Sequence, residues 1–566
     1  MTTLSRRNFL LSSGGSIAAF SLGGCALEPF PKSQATDVTL DVAFTDLELA
    51  GRRVRLRTYG GSIPGPAIFT RPGDVLRIRV RNFLPPDDAS KWEDDMHGLG
   101  HHVGMNVPHL FNTTNLHVHG MAVIPHIFEP IGTSDPEAPI MAIGPGEERL
   151  FEFAVPDDHP SGLYWYHPHY HGSTTVQVLN GMAGAIVVRG PIDEVPEIAA
   201  AQEFHLVVQD IALFESRADP GLFMFDPPQN AVWDTFAGVA NVMNADGSKA
   251  IEDVESGFST GDYPLRLYLV NGNPVLEEAH NSMEPTQPIG TQLPVQRFTV
   301  RPGEVVRFRM LNGSSDKVLP VVVDDHTMHL IALDGINFLA VKSIPYTEGA
   351  SAIGQEQVLI PSGGRAEFLV KASGAPGIYK IRELGHSPMV QFIASAGMVI
   401  AEIEVAGDPL DMPLPKALPT PTRHYPLAEG MPVANERTIL FGANFMTPKN
   451  KILGIDFTVN GELYEETATP LQVKVGTVEV WTIKANGGDS AEGHPFHLHD
   501  NSFEVIEIDG KPVDPVVLQD TVWVGHHQEV KIRIHFNKHF VGKALLHCHI
   551  LSHGDAGMMQ NVLMTG

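Results

Sequence analysis

The sequence predicts an all-β protein built from three consecutive β-sandwich domains, and three observations carry that reading. Its 566 residues include 54 Gly and 44 Pro with 43% hydrophobic side chains, enough apolar material for several cores and enough turn formers for many short strands. Apolar and polar residues alternate at period two between Gly, Pro, Asn and Asp, with no long stretch of helical periodicity. One pattern also recurs. Arg71-Pro72-Gly73-Asp74-Val75-Leu76-Arg77-Ile78-Arg79-Val80-Arg81-Asn82 matches Arg301-Pro302-Gly303-Glu304-Val305-Val306-Arg307-Phe308-Arg309-Met310-Leu311-Asn312, and Val475 to Ile483 is a weaker third copy. The copies lie too far apart for solenoid units and suit whole domains.

The boundaries follow from punctuation. Residues 37–190 form the first domain, 195–408 the second and 420–566 the third, with Gly190-Pro191 at one junction and the Pro-rich stretch Pro409 to Pro426 at the other. The middle domain carries little metal-ligand chemistry and is expected to space the outer two.

Residues 1–25 are set apart as an export leader. Ser5-Arg6-Arg7-Asn8-Phe9-Leu10 followed by an apolar stretch to Leu22 has the layout of a twin-arginine signal. Export of this kind places the mature protein in the periplasm or cell envelope. Leu22-Gly23-Gly24-Cys25 is similar to a lipoprotein cleavage box, so Cys25 is a candidate lipid anchor, against the alternative of an ordinary small-residue cleavage site. No later apolar run reaches the roughly 20 residues of a membrane-spanning helix. The net charge of −27 disfavours nucleic acid and anionic lipid as partners. The mature chain is expected to be a monomer.

Only Cys25 and Cys548 are cysteines. With the first consumed by processing, Cys548 is a lone thiol in an oxidising compartment, which calls for protection or ligation. Its neighbours suggest ligation. Four histidine clusters stand out: His117-Val118-His119, His167-Pro168-His169, His494-Pro495-Phe496-His497-Leu498-His499, and His547-Cys548-His549 followed by His553 and Met558. For 27 His in 566 residues roughly one His-x-His arises by chance; four clusters do not.

Positions i and i+2 of a strand share a face, so each His-x-His aims two imidazoles the same way. The pairs 117/119, 167/169, 497/499 and 547/549 supply eight imidazoles, which suit three clustered metals sharing them as two, three and three. Cys548 lies between His547 and His549 and therefore faces the other side of its strand, towards a second site. His494, His553 and Met558 complete a thiolate, two imidazoles and a weak axial thioether, the soft set that favours an electron-transferring blue copper.

In order and spacing these motifs resemble those of the multicopper oxidases, the laccase and cuprous-oxidase family; Phe111-Asn112-Thr113-Thr114-Asn115-Leu116-His117-Val118-His119-Gly120 and Trp165-Tyr166-His167-Pro168-His169 are particularly similar to bacterial laccase-like members. The resemblance implies three cupredoxin-like Greek-key domains, dioxygen as oxidant and four copper ions: one type 1, one type 2 and two type 3. It assigns type 2 copper to His117 and His497, one type 3 copper to His119, His167 and His549, and the other to His169, His499 and His547. Type 1 copper takes His494, Cys548 and His553 with Met558 axial, in preference to the adjacent Met559.

Dioxygen reduction consumes protons, so acids near the cluster are expected. Where many bacterial members have a glutamate after the last type 1 histidine, this chain has Gly554, then Asp555. The family's other acid follows the first histidine pair, and Asp135 resembles it best, with Glu129 as rival. The further histidines His101, His102, His109, His126, His171, His326, His329, His526 and His527 are read mostly as surface residues or supports behind the ligands. The 19 methionines form no dense insertion of the kind that marks a cuprous-ion site. The expected reductant is therefore a phenol or aromatic amine, with a cuprous, ferrous or manganous ion as the alternative. The complete ligand set argues against copper storage, and the eight paired imidazoles against a two-domain nitrite reductase.

Overall fold

The structure is a computed structural model that describes residues 35–87, 106–216, 219–225, 231–234, 241–244, 265–279, 289–348, 358–385, 397–421, 428–450, 453, 455–489, 491–514 and 516–566. The leader with Arg6, Arg7 and Cys25 lies outside these residues, as do His101 and His102.

Each third of the chain begins with the same arrangement. In the first, β1 (Ala35–Leu49) turns into β2 (Arg52–Tyr59) and runs parallel to β3 (Val75–Asn82), the first repeat copy. Near the sandwich's other sheet, β4 (His117–His119) is antiparallel to β5 (Gly162–His167). In the second, β6 (Gln202–Glu215) runs parallel to the second copy, β7 (Val305–Asn312), which pairs antiparallel with β8 (Arg365–Lys371). In the third, β9 (Val433–Asn444) runs parallel to the third copy, β10 (Val478–Lys484). The turn before each copy needs a left-handed residue, and Gly73, Gly303 and Gly476 supply it with φ of 85°, 78° and 80°.

Alternation decides which way each copy faces. In β3 the apolar Leu76, Ile78 and Val80 are fully buried while the arginines between them reach outward to Glu152, Glu148 and Asp41. Three large apolar clusters follow, centred on Ile78, Phe308 and Trp481, one for each third of the chain.

The first two thirds are joined more tightly than two separate sandwiches. A short strand, Leu222–Met224, bridges Arg52–Tyr59 and Gln202–Glu215, so one 13-stranded sheet runs from the first unit into the second. The third unit keeps its own sheets. The inner one carries the site: β11 (His494–Leu498) lies between β12 (Thr521–Val524) and β14 (Gly542–Cys548), while β13 (Glu529–His535) belongs to the facing sheet. The chain then makes the short helix α1 (Leu551–Asp555) and returns as β15 (Met559–Thr565) beside β14.

Candidate metal centre

Strand register sorts the ligands into two groups. On the β11–β14 ladder, Phe496 faces Cys548 and the next rung pairs His497 with His547. Adjacent rungs point to opposite faces, so Cys548 enters the core of the third sandwich beside Phe496 while His497 and His547 leave it towards the first domain. On the β4–β5 ladder His117 pairs with His167.

The thiolate group is compact. Cys548 Sγ lies 3.5 Å from His494 Nδ1 and 3.7 Å from His553 Nδ1, and those two nitrogens are 3.3 Å apart. The Ile550 N–H donates to the sulfur at 3.4 Å. Phe457 stacks on His553 with centroids 4.1 Å apart, and Phe441 meets His494 edge-on. Met558 is fully buried in the same apolar cluster as Cys548, and its carbonyl accepts the Cys548 N–H at 3.1 Å. Met559 packs instead with Ile127, Phe128 and Leu545, on the other side. The two neighbours thus pack on opposite sides, as strand alternation requires. Sequence reading missed Glu492, whose carboxylate is buried 3.6 Å from His553 Nε2.

The other eight histidines converge across the interface of the first and third domains. His117 stacks on His499 at 4.1 Å and His119 on His497 at 3.9 Å. His547 Nε2 lies 3.1 Å from Nε2 of both His169 and His499. Two nitrogens each about 2.0–2.1 Å from one ion sit roughly that far apart. His549 closes the cage, its ring centroid 5.1 Å from His119 and 5.7 Å from His167. The ligand nitrogens also group as His117-His119-His167 and His117-His497-His499, as neighbouring sites in one cage must.

Unpaired atoms test whether a metal fits. His117 Nε2, His119 Nδ1, His167 Nε2, His497 Nε2 and His549 Nε2 are buried with no hydrogen-bond partner among the described residues. In a folded protein such orphans are costly. Each ring's opposite nitrogen is occupied: His119 Nε2 donates to Asp520 Oδ1, His497 Nδ1 to the Asp520 carbonyl, His167 Nδ1 to the Pro168 carbonyl and His549 Nδ1 to Ser362 Oγ. The bare nitrogens therefore carry lone pairs, as metal ligands should. Burial also pushes the imidazoles down, His547 to about 4 and His167 and His494 to about 3, so they stay neutral. Burial pushes the Cys548 thiol well up, and only a bound cation would hold it as thiolate. The residues fit copper.

Acids are placed differently from the sequence expectation. Asp135 is exposed and accepts the Glu137 N–H, and Glu129 pairs with Arg149. The carboxylate found against the imidazoles is Asp520, which no sequence motif singled out. It is buried, with Oδ1 3.1 Å from His119 Nε2, and the Arg365 guanidinium holds it through both oxygens at 2.8 and 2.6 Å. Asp555 accepts the Gly172 and Thr175 N–H groups and lines a small cavity with His169, His171 and His547; burial pushes it up to about 6. His171 is thus behind the cage, its Nε2 3.2 Å from Asn106 Oδ1.

The middle domain does more than space its neighbours. Among the described residues it adds none to the candidate metal-ligand groups, yet Ser362 touches His549, and a Cβ on Gly363 would lie 2.7 Å from the His549 ring. Arg365 belongs to this domain, as does Asp334, whose Oδ2 accepts the N–H groups of Asp520 and Thr521.

Comparison with known proteins agrees. Three family models described as multicopper oxidase match residues 99–192, 245–398 and 432–565, more than half of the chain together. A multicopper oxidase, MmcO, of Mycobacterium tuberculosis is 25% identical over 98% of this chain and 95% of its own. Laccase-2 of Fomitopsis schrenkii is 26% identical over 87% and 83%. Among solved structures, a Campylobacter jejuni multicopper oxidase described as a metallo-oxidase superposes with a TM-score of 0.65 at 22% identity, covering 95% of each chain. McoA from Aquifex aeolicus gives 0.64 at 20% identity, covering 96% of this chain and all of that one. The chain belongs to the multicopper oxidase family, copper-dependent oxidoreductases that take electrons from a substrate and pass them to dioxygen.

Proposed function

We propose that this protein is a laccase-like oxidase holding four copper ions, which takes single electrons from phenols or aromatic amines and reduces dioxygen to water. The observation that carries the reading is the placement of two ligand groups back to back on one segment, His547-Cys548-His549. Bound copper would supply one-electron acceptance at the Cys548 group and four-electron reduction of dioxygen in the imidazole cage.

The chain's own part is to hold and connect. Cys548 binds on one face of β14 while the peptide on either side leads directly to His547 and His549, a short covalent path for electrons. The proposed partition follows the motifs: type 2 at His117 and His497, type 3 at His119, His167 and His549 and at His169, His499 and His547, type 1 at His494, Cys548 and His553 with Met558. Phe457 and Phe496 keep water from the thiolate, and Asp520 orients His119.

Substrate choice would rest on the surface of the third sandwich towards which β9 leads from Phe441, the residue that meets His494 edge-on. β9 runs on into Phe445 and Met446, 37% and 72% exposed, and the Met446 N–H donates to Asp489 in the loop that also carries Glu492. An exposed aromatic, the lack of a methionine-rich insertion and relatives named laccase support an organic reductant. The second reading, a cuprous, ferrous or manganous oxidase, is favoured by the buried Glu492 carboxylate beside His553 and by the metallo-oxidase neighbour. Oxygen uptake with a phenol and with Cu(I) in turn separates the two, and no uptake with either sinks both. We further propose export by the twin-arginine route and function as a monomer in the periplasm or envelope, with lipid on Cys25 as a variant. Fractionation of cells carrying Arg6→Lys/Arg7→Lys should trap the precursor in the cytoplasm.

A further inference from the structure

Of the two acids that follow the first histidine pair, Asp135 is exposed and Glu129 pairs with Arg149, and the loop between the pair and these acids, residues 120–128, carries no acid. The buried polar side chain that this loop does present is His126, 1% exposed. Its ring lies 13° from parallel to His117 with centroids 5.2 Å apart, and Phe153 closes on it edge-on at 5.1 Å.

Hydrogen-bond direction fixes the protonation of both rings. The Val118 N–H can only donate, and His126 Nε2 accepts it at 3.1 Å, so that nitrogen bears no proton. The proton of His126 is then on Nδ1, which donates to the Ile124 carbonyl at 3.2 Å. His117 Nδ1 lies 3.3 Å from the same His126 Nε2. Facing a lone pair, it must itself be an N–H. His117 Nε2 is left bare, and it is one of the buried nitrogens without a partner.

We infer that His126 is a positioning residue for the copper bound by His117 and His497: it accepts from Val118 and His117, locks His117 as the Nδ1–H tautomer, and so aims Nε2 into the cage. The inference rests on the proposed assignment of type 2 copper to those two histidines. Three other cage rings are locked by main-chain carbonyls, His167 by Pro168, His497 by Asp520 and His547 by Cys548, while His119 and His549 meet the side chains of Asp520 and Ser362. At His117 the acceptor is a side chain, so the device can be altered without moving the backbone.

Copper-loaded full-length chains provide the test. His126→Phe keeps a flat ring but has no acceptor, whereas His126→Gln offers a carbonyl oxygen near the position of Nε2. The readouts are copper per chain, the type 2 electron paramagnetic resonance signal, and the visible band of the thiolate site. His126→Phe should bind type 2 copper about 10- to 100-fold more weakly, the usual cost of losing a support behind a ligand, while the visible band stays. His126→Gln should keep the type 2 signal. Full copper and an unaltered signal in His126→Phe would overturn the inference. Equal loss of the signal in both variants would also overturn it, since packing rather than acceptance would then be at stake, as would loss of the visible band alongside. His497→Ala separates this inference from the assignment beneath it. A type 2 signal that survives in His497→Ala but vanishes in His126→Phe overturns the assignment and supports the lock; the reverse overturns the lock alone.

Discussion

The two ligand groups share β14 but depend on different amounts of the fold. His494, Cys548, His553 and Met558 all come from the third sandwich and lie within 64 residues of one another in sequence; Cys548 and Met558 belong to one apolar cluster, and its Phe441 and Phe457 contact the two histidines. The imidazole cage draws four histidines from the first domain and four from the third, with the middle domain's Arg365, Ser362 and Gly363 against it. The thiolate group is therefore a property of one domain, and the cage a property of three domains docked together. Failures at the two should be separable, although electrons must pass between them.

The sharpest break is Cys548→Ser. It removes the thiolate without changing the β11–β14 ladder, so visible absorption should vanish and oxygen uptake should fall by at least about 10³-fold, as for loss of an essential group. Cage copper should remain. Loss of all copper in this variant would show that the groups assemble as one.

The converse break is Asp520→Ala. It leaves the fully buried Arg365 guanidinium without its bidentate partner, and breaking such a pair costs about 3–5 kcal/mol. It also frees His119 Nε2. Type 2 and type 3 signals should be lost while the visible band persists, and a milder loss is expected for Asp520→Asn. A cage that keeps its copper in Asp520→Ala would contradict the idea that the middle domain secures it.

This difference also explains what the sequence revealed. The candidate ligands were legible because His-x-His puts two imidazoles on one face of a strand, which spacing alone records, and the structure brings them together in buried groups. Met558 and Met559 enter different apolar clusters because adjacent strand residues face opposite ways. Asp520, Arg365 and Ser362 were not legible: Asp520 lies 401 residues from His119, Arg365 155 from Asp520, and Ser362 187 from His549. A buried Asp beside a Thr has no periodic signature. Asp135 was chosen by its position after a motif, which says nothing about which way a loop folds. The continuous sheet between the first two domains depends on a three-residue strand, too short for alternation to show.

A third prediction concerns pH. Cage and thiolate-site imidazoles sit well below 6.5 in the folded chain, at about 4 for His547 and about 3 for His167 and His494. Once pH falls below 6.5 the unfolded chain takes up protons that the folded chain refuses, so stability is full above that value and lost progressively towards 4 and 3. The unfolding midpoint of the copper-free protein should drop by at least about 5 °C between pH 7 and pH 5. Copper-loaded protein should show a flatter profile, because bound metal competes with protons. The cage holds eight of the ten ligand imidazoles, so the copper-free slope should survive Cys548→Ser. A flat copper-free profile would mean that these rings are reached by water.

The smallest effect expected compares neighbours on either side of one strand. Met558→Leu and Met559→Leu both conserve volume and should each cost under about 1.5 kcal/mol of stability. Only Met558 shares the Cys548 cluster, whereas Met559 pairs with His547 on β14 and packs towards the first domain. Replacing a weak axial thioether with a group that cannot ligate raises the potential of a blue site. Met558→Leu should therefore shift the visible band and raise the potential read by redox titration, with copper per chain unchanged, while Met559→Leu leaves both as in the parent. Equal shifts in the two variants would mean that the thiolate site responds to packing on both faces of the strand, and its independence from the cage would fall with that result.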